Sequence, residues 1–436
     1  MFKRSLILFG ALLMSLSMWI WVQSIVVPHQ AAESAKLGRP RGNLSDLYPR
    51  WWGARELLLH GRDPYRTDIT REIQIGYYGR PLDPTLPNDP KDQQGFAYPI
   101  YVVLLLAPTV TLSFTTVHRI AFWLLAALTA VSVPLWLRML GWRVSKVSLV
   151  AWVLLTLSCF PSIQGLKLQQ LTLLVAALIA GSMYALSRQW YLVAGIFLAL
   201  ATIKPQLVFL LILWVCIWVV GNWRQRQRLW WSFGVSMLVL VIAGELLLPG
   251  WITEFRGAMK DYFRYTGGGL SMLDVAFSSV GGKLVAAIVF AVLLVFCWRN
   301  RGCGRETAAF HWTVCFTLAT TLLIIPSYAV YNQLVLLPAA MMALRSGGQL
   351  WERGLFLRFF YSITASAIFW PFVSAAGLVI ALAVMPGYTV QKAWGLPALY
   401  PSFAIPVTIY ALLLVARDVV ANEPRRVLQL PSSRRC

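Results

Sequence analysis

The sequence predicts an all-α, polytopic membrane protein with about twelve transmembrane helices, and three observations predict it. Hydrophobic residues fill 58% of the 436 positions and charged residues only 13%, more apolar surface than a water-soluble fold can bury. The apolar residues gather into blocks of membrane length, with about 20 residues needed per helical span. Clusters of Lys and Arg occupy every second connection between those blocks, the alternation expected when basic loops stay in the cytoplasm.

The first block, 5–27, follows Lys3 and Arg4; it is longer than the core of a cleaved leader and has no small-x-small cleavage site, so it reads as the first span. Further blocks lie at 97–137, 147–163, 171–187, 191–203, 206–220, 229–248, 283–298, 309–325, 330–344, 354–385 and 399–417. Block 97–137 is long enough for two helices. The charge alternation asks for an odd number of crossings there, so we expect one span preceded by a re-entrant piece around 98–113. The alternative has two crossings there and one long helix over 191–220, kinked at Pro205. The whole chain, 1–436, reads as one integral membrane domain.

With both termini placed in the cytoplasm, the polar connections 28–96 and 249–283 become large outer loops, and the basic tail 423–436 is cytoplasmic. The formal charge of +21 belongs to these short topological clusters rather than to one basic face, which excludes nucleic acid as a partner. The six Cys lie in or beside apolar blocks and none falls in the first loop, so no disulfide framework or Cys-based metal site is expected. Nothing else has metal-ligand spacing, and neither a metal nor a cofactor is implied.

The loop 28–96 is where chemistry is expected. It holds nine of the 17 acidic residues: Glu33, Asp46, Glu56, Asp63, Asp68, Glu72, Asp83, Asp89 and Asp92. Within it, 45–60 has helix character, with Ser45 as N-cap, Asp46 in the first turn and Gly61 as stop signal. Trp51, Trp52 and Leu57–Leu59 make that helix amphipathic, suited to lying in the membrane interface where Asp46 can meet a lipid headgroup. The Pro-rich stretch 77–94 reads as an extended lid. Asp46 fits a general base or a charge set against a helix macrodipole. Lys204, between two apolar runs, fits an anion ligand or a snorkelling anchor. Asp63 before Pro64 reads first as a turn residue. Glu56 and Glu245 are reserve carboxylates, and Arg264 is a lesser candidate for binding phosphate.

The run Asp46-Leu47-Tyr48-Pro49-Arg50, followed by Gly61-Arg62-Asp63-Pro64-Tyr65, resembles the first outer loop of GT-C class membrane glycosyltransferases. It is closest to glycosyltransferase family 87, which includes polyprenol-phosphate-mannose-dependent mannosyltransferases. The likeness runs on through Phe96-Ala97-Tyr98-Pro99, Gln170-Leu171-Thr172 and Lys204-Pro205-Gln206, and it ends at Pro326 to Asn332, before Pro338. Thr172 stands where the family usually has Asn, and Ser327 and Tyr331-Asn332 stand where a His and a Tyr-Asp pair are common.

The resemblance implies transfer of a hexose, mannose in the first instance, from a polyprenyl-phosphate donor to a lipid or glycan acceptor on the outer face of the plasma membrane. It makes Asp46 the base and places Gln170, Lys204, Gln206, Tyr65, Tyr98, Tyr331 and Asn332 around the donor, with Arg264 added from its own chemistry as a phosphate candidate. The apolar spans would admit the prenyl tail from surrounding membrane lipid. Two rival classes are a lipid-linked-sugar transporter, which needs polar groups along a path through the bilayer, and a non-catalytic assembly subunit. Sugar transfer by purified protein separates the enzyme from both.

Overall fold

The computed structural model describes residues 2–37, 44–83, 85–265, 269–326, 329–399 and 401–421. It is helical throughout, with no strand among the described residues. Ser327, in the late motif, and the basic tail 423–436 lie outside the described residues.

The chain opens with α1 (Phe2–Trp21), a π-helical turn (Val22–Val26) and α2 (Val27–Lys36). Together they form one apolar helix, Ser5–Lys36, so the first span runs nine residues past its predicted end and into the expected loop. The helix expected over 45–60 is present as α3 (Leu47–His60), and a second, unpredicted helix, α4 (Thr67–Tyr78), fills part of the remaining loop. Gly61 and Gly79 close them in the left-handed region, with φ of 66° and 82°, as C-terminal stops do. Helix α3 packs against the protein core, where Leu47, Tyr48, Trp51, Ala54 and Leu57 are buried.

Residues 97–137 hold one spanning helix. A short α5 (Val102–Leu106) and a 3-10 turn (Ala107–Thr109) precede α6 (Phe114–Met139). Next come α7 (Lys146–Ser158) and α8 (Phe160–Leu168), bent by 56° at their junction. Pro161 at the start of α8 cannot continue the hydrogen-bond ladder of α7. After α9 (Thr172–Ser187), α10 (Tyr191–Leu200) and a 3-10 turn (Ala201–Ile203) stop at Lys204, and Pro205 opens α11 (Pro205–Val220). Two helices thus meet at Lys204.

Helix α12 (Trp223–Leu247) leads to α13 (Trp251–Tyr265), and α14 (Met272–Asn300) follows. The second predicted loop, 249–283, is therefore mostly helical too. After α15 (Ala308–Ile324), block 330–344 is not one span but a 3-10 segment (Val330–Leu336) and α16 (Leu337–Arg345); Pro338 at the start of α16 and the polar pair Asn332 and Gln333 break it. The chain ends in α17 (Gly347–Glu352), α18 (Leu355–Val384), α19 (Gly387–Gln391), α20 (Pro401–Val415) and α21 (Arg417–Val420).

Among the described residues, six helices are long and apolar enough to cross a membrane; the bent pair α7 and α8 passes the same test together, and four shorter apolar helices accompany them. The basic clusters meet one another. Arg226 donates to the carbonyls of Trp218, Arg301 and Cys303, and Arg345 donates to that of Leu140 at 2.8 Å. Gly221 lies against Arg301. The contacts of Arg226 and Gly221 sit at the end of α11 remote from Lys204.

Candidate active site

A cavity of about 620 Å³ lies over the junction of α10 and α11. Its walls come from the start of α3, the segment 92–99, Gln170 just before α9, the start of α11, the face of α13 and Pro326, Ala329, Tyr331 and Asn332. Four cationic side chains line it (Arg50, Lys204, Arg256 and Lys260) against two carboxylates, Asp46 and Asp92. Aromatic rings of Tyr98, Tyr262, Tyr265 and Tyr331 complete the wall.

The polar residues form a continuous chain. Asp46 sits at the N-cap position of α3 but makes no side-chain cap bond; its Oδ2 accepts instead from the Gln170 amide. The capping role predicted for Ser45 is likewise absent, because its hydroxyl donates to Gln169 Oε1 at 2.6 Å. Gln170 Oε1 accepts from Lys204 Nζ at 3.1 Å, and the same ammonium donates to Thr172 Oγ1 at 2.6 Å. Thr172 passes its own hydrogen to Asn332 Oδ1 at 3.0 Å. Lys204 Nζ also lies 4.8 Å from the Tyr331 ring centroid, a cation–π contact.

Lys204 is 7% exposed, which answers the snorkelling alternative: the ammonium is turned inward, not towards the interface. Burial, then the positive charge of Arg50, pushes it down to about 7, with Asp46 opposing. Arg50 behaves differently. Burial alone would lower it, but Tyr98, Asp46 and Asp92 hold it above its ordinary value, so it stays a cation. Its guanidinium lies 4.8 Å from the Tyr98 ring centroid and donates to the Asp46 carbonyl one turn back along α3. The N-terminal end of α11 also meets the cavity through Pro205 and Gln206, adding the positive end of a helix dipole to Lys204.

Of the predicted site residues, Asp46, Gln170, Lys204, Gln206, Tyr98, Tyr331 and Asn332 all line this one cavity. Tyr65 stands behind it: its hydroxyl donates to the Tyr98 carbonyl at 2.6 Å and its ring meets Phe96 edge-on, so it positions the Tyr98 segment. Arg264 is not in the wall; it is exposed and paired with Asp261 at 3.1 Å, while Arg256 and Lys260 of the same helix line the cavity.

The reserve carboxylates are elsewhere. Glu56 is buried and holds Arg62 at 2.8 Å and His60 at 3.2 Å. Asp63 accepts from the Tyr65 N–H at 2.9 Å as a turn residue. Glu245 accepts from the Gly250 N–H at 2.8 Å and closes the turn between α12 and α13.

Sequence reasoning missed Arg50, Asp92, Thr172, Arg256 and Lys260. Arg50 could have been found, since it is four residues after Asp46 on a helix and so shares its face. Burial, with the charge of Asp46, raises the Asp92 carboxyl against the Gln94 N–H and Arg50. No group of three or more metal-ligating side chains occurs among the described residues.

A half-buried carboxylate beside several cations, in a cavity walled by aromatic rings, can take a proton from a hydroxyl while holding an anion. Comparison with known proteins gives no matching curated protein and no matching solved structure. The sequence pattern of glycosyltransferase family 87 matches residues 96–326, a stretch containing Gln170, Lys204 and the whole of α13. With more than half of its length matched, this polytopic membrane chain belongs to glycosyltransferase family 87.

Proposed function

We propose that this glycosyltransferase moves a hexose, with mannose as the first candidate, from a polyprenyl-phosphate donor to a lipid or glycan acceptor at the outer face of the membrane. Asp46 is the base. It takes the proton from an acceptor hydroxyl as that oxygen bonds to the anomeric carbon. The bond from the anomeric carbon to the phosphate oxygen breaks, its electron pair stays on that oxygen, and polyprenyl phosphate leaves. Lys204, Arg50 and the start of α11 receive the growing negative charge.

The observation that carries this reading is the polar chain from Asp46 through Gln170 to Lys204. It ties the proton acceptor to the phosphate ligand and supports their acting on opposite partners of one displacement. Gln170 engages Oδ2, which leaves Oδ1 for the acceptor. The absence of a capping bond from Asp46 speaks against the purely structural role, and membership of a glycosyltransferase family favours chemistry over transport or assembly.

Purified protein given a synthetic polyprenyl-phosphate hexose with labelled sugar, and membrane lipid as acceptor, should form a labelled lipid or glycan and release polyprenyl phosphate. Failure with mannose, glucose and galactose donors alike would remove the donor class. Single Cys reporters at Asp46 and Lys204, in a background without native Cys, should react with membrane-impermeant maleimide in intact cells; labelling only after permeabilisation would reverse the proposed orientation.

A further inference from the structure

The reaction proposed above uses one carboxylate, yet the cavity holds two. They are built alike. Asp46 has Oδ2 engaged by the Gln170 amide, and Asp92 has Oδ1 engaged by the Gln94 N–H at 3.0 Å; among the described residues the remaining oxygen of each side chain has no hydrogen bond. One guanidinium feels both, since against burial Tyr98, Asp46 and Asp92 hold Arg50 above its ordinary value. Asp92 is therefore a second hydrogen-bond acceptor, set in the same space as the base, that the proton transfer does not use.

We infer that Asp92 determines acceptor specificity: its free oxygen takes a hydrogen bond from a hydroxyl next to the one that reacts, and so selects a saccharide ring over an acceptor with a single hydroxyl. The inference rests on the transfer reaction proposed above and names its acceptor. A half-buried carboxylate turned to a ligand must meet a donor from that ligand or lose hydration without return. A hydroxyl or an ammonium can supply the donor, and the four cationic side chains of the same wall oppose an ammonium. The hydroxyl is what remains.

The surroundings of Asp92 suit the rest of a sugar ring. Tyr262 and Tyr265 stand three residues apart on α13, with ring centroids 5.5 Å apart, and both line the cavity. Burial, and then the charge of Asp92, raises both phenols, which places them beside that carboxylate. Aromatic surface next to a hydrogen-bond acceptor matches a ring that has carbon-bound hydrogens on its face and hydroxyls at its edge.

The carboxylate is also held in place. Tyr78 donates its hydroxyl to the Asp92 carbonyl at 3.0 Å and Gln74 donates to the Gln93 carbonyl at 3.1 Å, so α4 fastens the segment. Gln94 adopts φ of 56°, in the left-handed region that costs energy for a residue with a side chain, and its N–H meets Asp92. All of these residues precede the stretch 96–326 that matches the family pattern, so membership of the family assigns them no role.

The test uses full-length protein, a polyprenyl-phosphate hexose with labelled sugar, and the octyl glycosides of mannose, glucose and galactose as acceptor probes, with monodeoxy forms of the best of them and octanol alongside. Two quantities are read: kcat/KM for each acceptor, and the partition of label between glycoside product and free sugar released to water. In the wild type, loss of the reacting hydroxyl should abolish transfer, loss of one neighbouring hydroxyl should cost about tenfold or more, and octanol should be a poorer acceptor than the glycoside. Asp92→Asn presents an amide NH2 to the acceptor, because its carbonyl oxygen stays on the Gln94 N–H. In that variant the partition should shift towards free sugar by about tenfold or more, and the neighbouring deoxy acceptor should no longer be worse than its parent. A deoxy penalty of the same size in wild type and Asp92→Asn would overturn the inference, since a merely structural role for Asp92 leaves that penalty in place. Octanol matching the glycosides in the wild type, or release of free sugar with transfer to none of the three, would overturn it too. Release of no labelled sugar by the wild type, to water or to any acceptor, would instead sink the donor class, and the acceptor assignment with it.

Discussion

Lys204 Nζ donates to the Thr172 hydroxyl at 2.6 Å, and that hydroxyl donates in turn to Asn332. The cation is therefore held by neutral oxygens, not by a carboxylate, and its charge is not cancelled before a ligand arrives. Removing the hydroxyl tests this. Thr172→Val keeps the shape of the side chain but leaves Asn332 and one ammonium hydrogen unsatisfied, which typically costs about 1–3 kcal/mol. We expect donor affinity to fall by about tenfold or more, with a lower melting temperature. Thr172→Ser, which restores the hydroxyl, should recover the affinity; failure to recover it would remove the hydroxyl from the phosphate site.

Donor binding should weaken as pH rises. Below about 7 the Lys204 amine is an ammonium, and above that value its burial leaves it neutral, so an anionic donor must bring the proton back with it. The dissociation constant measured by calorimetry should rise through this range, and binding should take up protons from the buffer. Lys204→Arg should flatten the profile, because guanidinium stays charged. Lys204→Met should weaken binding at every pH; unchanged affinity would make the residue a topological anchor only.

Asp46→Asn retains shape but cannot take a proton. A general base contributes about 10²- to 10⁴-fold, whereas a charge at a helix N-terminus is worth only about 0.3–1 kcal/mol. Turnover should collapse by at least about a hundredfold while thermal stability and donor affinity stay near wild type. Retention of more than about a tenth of turnover would be too small a loss for a missing base and would pass the role to Asp92, the other carboxylate in the cavity.

Asp92 gives a prediction of opposite sign in stability. Its carboxyl is raised above the ordinary 3.8 by burial and by Asp46, so between those two values the folded protein binds more protons than the unfolded chain. Stability from this group therefore falls as pH rises through that window. Asp92→Asn removes the penalty of a buried charge. Its melting temperature should exceed that of wild type at neutral pH, and the margin should shrink as pH falls towards 4; a constant margin would mean that ionisation of Asp92 is not its source.

Much of the site was readable because its members fall in short ordered runs. Asp46, Gln170, Lys204, Tyr331 and Asn332 are far apart in sequence yet converge, and only the likeness of those runs to one family linked them beforehand. Helix α3 was legible as the helix expected over 45–60, whereas α4 was not read, although Ile69, Ile73 and Tyr77, all buried, repeat at the four-residue spacing of a helix face. The choice of Arg264 failed because 249–283 was read as loop, so no helical face was assigned. On α13 the side chain is drawn to Asp261, while Arg256 and Lys260, one turn apart, face the cavity. Asp92 carried no local signal. It follows a Pro-rich stretch, and only the return of that chain beneath α13 brings it near Asp46.

Three consecutive residues at the C-terminal end of α8, Leu168 to Gln170, grip the start of α3. The Leu168 carbonyl accepts from the Asp46 N–H at 3.0 Å, Gln169 takes the Ser45 hydroxyl, and Gln170 takes the Asp46 carboxylate. Such a three-tooth engagement has one register. Lengthening or shortening 160–168 by a single residue would turn the comb by about 100° about the helix axis and disengage all three teeth together. Asp46 and Arg50 ride on the same helix, so both would leave the cavity in one movement. Single-residue insertions before Leu168 should therefore abolish transfer outright, while insertions in the connection 79–91, beyond the grip, should leave it measurable.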